Sequence, residues 1–308
     1  MRRLLVSVAT LAVAFAGCKS KNEPPKSGTA AEANEPAGAA PGRNVITRPF
    51  LWKAEKDGKT SWLFGTIHLG VNADEDLPPW VTDRIGDAPA FVMEADTSDA
   101  TGLARALQRT DGGSLRTDLG PEYWKKLEDA VGARLAAGFD GMKPFAIMTL
   151  LLAKDLPMTP PMDGALADRA RTAGKPIHYL ESIEDQIAII DPWMAPADVK
   201  AMLDHRDEAK ATAQKMMVAY RAGDGPGLGA MFDDQTLWLA AGRKPELFQA
   251  YLNALHGKRN RAWVPQLEKL HGEGGAFIAV GAGHLVGPGN VLDLLAARGF
   301  TLSRVTGP

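Results

Sequence analysis

The sequence predicts an α/β fold: a mixed β-sheet with flanking helices, its N- and C-terminal strands packed together, and a helical insertion in the second half. Three observations carry this. Apolar runs of strand length stand near both ends of the body, at residues 50–64 and 276–305. Two more, at 90–94 and 177–180, are separated by apolar stripes of helical spacing. A longer polar stretch of helical period runs from about 191 to 270.

Phe50-Leu51-Trp52 and Ser61-Trp62-Leu63-Phe64 read as two strands, and Asp57-Gly58 between them is a strong hairpin signal. Ala90–Glu94 is a third strand. Pro121 opens a helix with Leu127, Val131 and Leu135 on one face, ended by Gly138. Pro144 opens a second, very apolar helix through Leu152. Asp163 reads as the N-cap of a helix to Ala173, with Gly174 as the stop. Ile177–Leu180 is a strand, and Ser182 starts another helix. Residues 197–221 form a polar helix buried along Val199, Met202, Leu203, Met216, Met217 and Tyr220. Helices follow at 245–255 and 261–270, then a buried strand at 276–280, a helix at 290–298 and a last strand at 300–305.

The 308 residues are 45% apolar and carry a formal charge of −2, so no global basic field attracts nucleic acid. The single cysteine, Cys18, excludes an internal disulfide framework, an iron–sulfur cluster and a multi-cysteine zinc site. Its position is informative. Arg2 and Arg3 precede an apolar run from Leu4 to Gly17, which has signal-peptide length. Phe15-Ala16-Gly17-Cys18 resembles a bacterial lipobox, in which the cysteine is lipidated and becomes the first mature residue. Residues 1–17 then read as a lipoprotein signal peptide, 18–48 as a flexible tether poor in large apolar residues, and 49–308 as the folded body. The expected location is the cell envelope, lipid-anchored to a bacterial membrane; the sequence does not specify an oligomeric state.

Four polar residues share one structural position, just past the end of an expected strand. They are His68 in Gly65-Thr66-Ile67-His68, Glu94, Glu181, and His284 in Gly281-Ala282-Gly283-His284. Ligands of α/β sheets bind outside the carboxyl ends of the strands. Two imidazoles and two carboxylates gathered there could hold a divalent metal, which would lower the pKa of a bound water towards about 7. With six histidines, roughly 0.6 Gly-x-x-His matches arise by chance, and two are present, each after an apolar strand. Each residue also has a structural reading, as a hydrogen-bonded histidine or a carboxylate at a helix N-terminus. His178, His205, His256 and His271 fit that reading better, lying on an opposite strand face or on polar helices and helix ends.

Several ordered motifs carry a resemblance that covers roughly residues 49–306. They are Leu63-Phe64-Gly65-Thr66-Ile67-His68-Leu69-Gly70, the strand ending in Glu94, Lys143-Pro144, and Met162-Asp163-Gly164. Next come Gly174-Lys175-Pro176-Ile177-His178-Tyr179-Leu180-Glu181-Ser182 with Gln186, then Arg259-Asn260-Arg261-Ala262-Trp263, then Val280-Gly281-Ala282-Gly283-His284-Leu285-Val286-Gly287. In these the chain resembles the TraB/GumN family, which includes the Tiki metalloproteases. The resemblance implies a metal-dependent, peptidase-like hydrolase acting on a peptide or protein. It implies a divalent ion (Mn, Co or Zn) on His68, His284 and one or both of Glu94 and Glu181, with the unbound carboxylate as general base. Arg259 and Asn260 match the family's Arg-Asn pair, in which the guanidinium could clamp a substrate carboxylate or an oxyanion. The pair also reads as a helix start with Asn260 as cap. Two other functions remain open: a non-catalytic peptide-binding or signal-binding lipoprotein, and a metal-independent hydrolase with His68 or His284 as base.

Overall fold

The computed structural model describes residues 45–308. The expected signal peptide, Cys18 and most of the tether lie outside the described residues. Six strands form one mixed sheet: β1 (Leu51–Lys56), β2 (Lys59–Thr66), β3 (Phe91–Met93), β4 (Ile177–Tyr179), β5 (Phe277–Gly281) and β6 (Thr301–Arg304). Their spatial order is β4-β3-β5-β2-β1-β6. β4, β3, β5 and β2 run parallel. β1 is antiparallel to both β2 and β6, so the two ends of the body are joined in the sheet.

The hairpin between β1 and β2 forms where the dipeptide signal placed it. Lys56 pairs with Lys59, and Asp57 and Gly58 take φ of 50° and 71°, the left-handed pair of a type I′ turn. Alternation along the strands then assigns side chains to two buried faces. Phe64, Phe91, Phe277 and Ala279 pack on one side against Leu166, Met216 and Tyr220. Leu63, Val92, Ile278 and Val280 pack on the other against Trp263, Leu267 and Leu295. Each fully buried Leu, Val, Ile or Phe among them contributes about 1.5–3 kcal/mol relative to exposure.

A third core is wholly helical. It joins Leu103, Trp124, Leu127, Ile147 and Leu151 to Ile187, Met202, Trp238 and Tyr251. The helical lobe therefore draws on two stretches, 95–151 and 183–255, a wider span than 191–270. The helix Lys258–Gly272 is not part of it, because Trp263, Val264, Leu267 and Leu270 face the sheet.

Several boundaries differ from the sequence expectation. The helix Leu115–Val131 contains Gly120 at φ 76°, and Pro121 starts its second segment. Gly132 then breaks the run, and Leu135 lies 42% exposed on the short helix Ala133–Gly138. The expected helix 197–221 is two, Pro196–Asp204 and Arg206–Ala222, separated by His205. Residues 253–257 form a π-helical turn running directly into Lys258–Gly272, so Arg259 and Asn260 lie inside a continuous helical run rather than at a helix start. At the N-terminal end, Ile46 is buried, and its N–H donates to Asp76 O at 2.8 Å. The packed body thus begins within the stretch read as tether. Among the described residues, no helix is long and apolar enough to cross a membrane.

Candidate functional site

The four parallel strands each deliver one polar residue to the same edge of the sheet. Across it they run Glu181 after β4, Glu94 after β3, His284 after β5 and His68 after β2. Backbone bonds hold the strand ends in step: Leu180 N–H donates to Met93 O at 3.0 Å, and Glu181 N–H to Glu94 O at 2.9 Å.

The two Gly-x-x-His motifs are physical neighbours, since Gly65 pairs with Val280 and Thr66 with Gly281. Their glycines are needed for close approach. A Cβ on Gly65 would stand 3.0 Å from Ala282 Cα and 2.9 Å from Phe50 Cβ. A Cβ on Gly281 would stand 3.2 Å from Glu94 Oε1, 3.5 Å from His68 Nε2 and 3.7 Å from His284 Cδ2. Gly281 is thus the point around which His68, Glu94 and His284 converge.

Both imidazoles are oriented through Nδ1. His68 Nδ1 lies 2.6 Å from Asp163 Oδ2, and Thr66 Oγ1 donates to Asp163 Oδ1 at 2.8 Å. Burial works to raise the Asp163 pKa, but His68 and the Thr66 hydroxyl outweigh it and hold the carboxyl below its ordinary range. His284 Nδ1 lies 2.5 Å from Asn260 Oδ1, whose amide nitrogen donates to Gly289 O at 3.0 Å. The His284 ring is fully buried and flanked by Trp263 and His256, with ring centroids 4.4 and 4.9 Å away. Burial, reinforced by Arg259, holds its pKa well below the usual histidine value, so it is neutral.

Arg259 and Gln186 lock both carboxylates, and a backbone N–H adds to Glu94. Arg259 Nη2 donates to Glu94 Oε2 at 2.6 Å and also to Glu181 Oε1; its Nε donates to Glu181 Oε1 at 2.9 Å. Gln186 Nε2 donates to Glu94 Oε2 at 3.0 Å and to Glu181 Oε1 at 2.8 Å. Gly281 N–H donates to Glu94 Oε1 at 2.7 Å. Burial pushes the Glu94 carboxyl up; Arg259 and His68 pull it down and Glu181 pushes it up, and the net shift is upward. Its Oε1 lies 3.7 Å from His284 Nε2.

Arg259, expected to clamp a substrate carboxylate or an oxyanion, turns its guanidinium into the protein. Its guanidinium is 2% exposed and stacks on Trp263. Besides the two carboxylates, Nη1 donates to Leu255 O at 3.1 Å and lies 3.2 Å from His284 Nε2. All five N–H directions are therefore committed within the protein. Asn260 lies inside the helical run rather than at its cap, and its amide holds His284.

Three further residues belong to the site. Asp163 was expected as an N-cap. In the structure Pro161 holds that position, and the Asp163 carboxylate turns to Thr66 and His68 instead. Gln186 bridges both glutamates. His256, expected to be a helix-end residue, sits edge-on to His284 and Phe232, and burial, with Arg259, pushes its pKa down to about 3. Spacing signalled none of these roles, because each comes from a helix that packs over the strand ends. Of the other histidines, His271 is structural, bonded to Ser61 Oγ and Lys56 O.

Two imidazole nitrogens and a carboxylate oxygen are donors that suit a borderline divalent cation, and the oxygen behind each imidazole is the usual support for a metal-binding histidine. The proximity of Arg259 Nη1 to His284 Nε2 competes with a cation there. Among the described residues, no group of three or more His, Cys, Asp or Glu side chains is placed to hold a metal ion.

With the paired motifs side by side and Glu94, Glu181, Arg259 and Asn260 joined to them, the comparison with known proteins is direct. The TraB/PrgY/gumN family matches residues 50–304. The chain belongs to this family. Among curated relatives, it is similar to uncharacterized protein YbaP of Shigella flexneri, at 26% identity over 82% of this chain and 94% of the relative. It is also similar to YbaP of Escherichia coli K12, at 25% identity over 80% of this chain and 96% of the relative. No solved structure matches. The TraB/PrgY/gumN match spans every strand that carries a site residue.

Proposed function

We propose that this TraB/PrgY/gumN protein is a membrane-anchored envelope hydrolase that cleaves peptide bonds with the help of a divalent metal. The observation that carries the reading is the pair of imidazoles on adjacent parallel strands. Each has its Nδ1 committed to an oxygen, and Glu94 Oε1 lies near both. His68 Nε2, His284 Nε2 and Glu94 Oε1 would hold Mn, Co or Zn; Glu181 serves by fixing Glu94 through Arg259 and Gln186. A cation there would supply Lewis acidity towards a substrate carbonyl and a water molecule. Asp163 and Asn260 fix the tautomer and direction of the two rings. Where the cation rests on the imidazoles alone, Glu94 Oε1, the carboxylate oxygen that the guanidinium leaves alone, is instead placed to take or return a proton at the reacting centre. Lipidation at Cys18 would supply the anchor, supported by the lipobox-like sequence.

A second reading has its own support. Arg259 Nη1 beside His284 Nε2 puts a fixed cation at the site, and the Asp163–His68 pair has the geometry of a base with its orienting carboxylate. In this reading His68 acts without metal. Mass spectrometry of a peptide library incubated with the protein, before and after exhaustive chelation, separates the readings. New termini lost on chelation and restored by Mn, Co or Zn support the first, and cleavage that survives chelation supports the second. No fragments under any condition defeat both and leave a binding protein.

A further inference from the structure

A cavity opens beside His68, between the ends of β2 and β5 and the helices Arg206–Ala222 and Gly225–Ala230. Its volume is about 40 Å³, room for about three waters, so it suits one side chain rather than a whole ligand. Its walls are Ile67, Met216, Leu228 and Phe232, with Gly281 to Gly283 along the strand end. The lining side chains that carry hydroxyls have spent them elsewhere: Tyr220 Oη donates to Gly65 O at 2.8 Å, and Thr66 Oγ1 to Asp163 at 2.8 Å. A polar group entering this space would lose its water and meet no free hydroxyl, a cost of about 1–3 kcal/mol. An apolar group would gain from burial. Met216 has an unbranched, adaptable side chain that follows occupants of different shape.

We propose that this cavity is the specificity subsite of the enzyme and receives a single apolar side chain of a peptide substrate, of leucine or methionine size, next to the bond held at His68. This rests on the hydrolytic reading for the word substrate, but the recognition itself does not require turnover. The occupant's backbone would lie along the end of β5 at Gly281 to Gly283, which borders both the cavity and the His68 and Glu94 edge.

The test uses the full chain with 13C-methyl methionine, the Met216 signal being assigned from Met216→Leu. N-acetyl-leucine methylamide and N-acetyl-aspartate methylamide are titrated separately. The proposal expects the Met216 methyl to move saturably with the leucine probe, at least tenfold more tightly than with the aspartate probe. Leu228→Trp, or Leu228→Phe if the first variant misfolds, should weaken the leucine probe by about tenfold or more. Equal response to the two probes, no response at Met216, or unchanged binding in a folded filling variant overturns the proposal. A parallel digestion keeps the two readings apart. Leucine binding without cleavage sinks the hydrolase and leaves the subsite standing. Cleavage that does not discriminate leucine from aspartate sinks the subsite and leaves the hydrolase.

Discussion

His68 Nδ1 stands 2.6 Å from Asp163 Oδ2, across 95 positions of chain. A helix that begins at Met162 thus reaches over the end of β2 and sets the direction of its imidazole. Thr66, on the same strand end, holds the other oxygen of that carboxylate, so the aspartate cannot swing away.

Asp163→Asn keeps the size of the side chain and removes the charge behind His68. Loss of such a support lowers metal affinity or activity by about 10–100-fold. The expected result is a drop in kcat/KM in that range, with far-UV circular dichroism unchanged. A variant that loses less than twofold removes Asp163 from the account.

Arg259→Ala leaves Glu94 and Glu181 buried together without their shared cation. Breaking a buried pair in this way costs about 3–5 kcal/mol. Denaturant unfolding should show that loss. Arg259→Lys should recover only part of it, because a single ammonium cannot reproduce the planar fork that meets both glutamates. Full recovery by lysine would mean that charge alone matters.

The helix expected to carry Leu127, Val131 and Leu135 on one face breaks at Gly132, and that break has a measurable consequence. Leu127 is fully buried, and Leu127→Ala should destabilise by about 2–5 kcal/mol. Leu135 is 42% exposed, and Leu135→Ser should stay within about 0.5 kcal/mol. Equal losses at the two positions would restore the single continuous helix.

Asp140 accepts from Arg116 N–H at 2.8 Å and Ser114 Oγ at 2.7 Å, tying a loop to the start of Leu115–Val131. The Arg116 N–H and then the Ser114 hydroxyl lower its pKa. A carboxyl lowered in the folded state contributes stability above its unfolded pKa of about 3.9 and loses it as pH falls through the folded value. Asp140→Asn should therefore be less stable than wild type at pH 7, by under about 1 kcal/mol for so exposed a group. The difference should close below pH 4. A variant more stable than wild type at pH 7 reverses the sign and contradicts the assignment.

The parts of this molecule that the sequence makes legible are those with short-range signals. Asp57-Gly58 marks the hairpin because its two left-handed residues need that chemistry, and the strand ends stand out because apolar runs stop at Gly-x-x-His or at a glutamate. His68, Glu94, Glu181 and His284 could be placed on one sheet edge for that reason. What surrounds them was not legible. Asp163 matches a cap pattern, and only the crossing of its helix over β2 gives its carboxylate to His68. Arg259 matches a substrate-clamping motif, and only the π-helical turn before it shows the guanidinium carried inwards onto two glutamates. His256 looks like any polar helix-end residue until that same turn sets it against His284. Such relationships depend on how helices pack, and spacing along the chain does not encode them.

The central claim is that the two motif histidines and Glu94 form one metal-dependent centre. The most direct measurement is the metal content of the protein purified without chelator and re-equilibrated with Mn, Co or Zn, determined alongside His68→Ala and His284→Ala. The account predicts about one tightly held ion per wild-type chain, as a single two-imidazole, one-carboxylate centre requires, and loss of that ion in both folded variants. A wild-type chain that takes up none of the three metals, or variants that retain the ion, would contradict it.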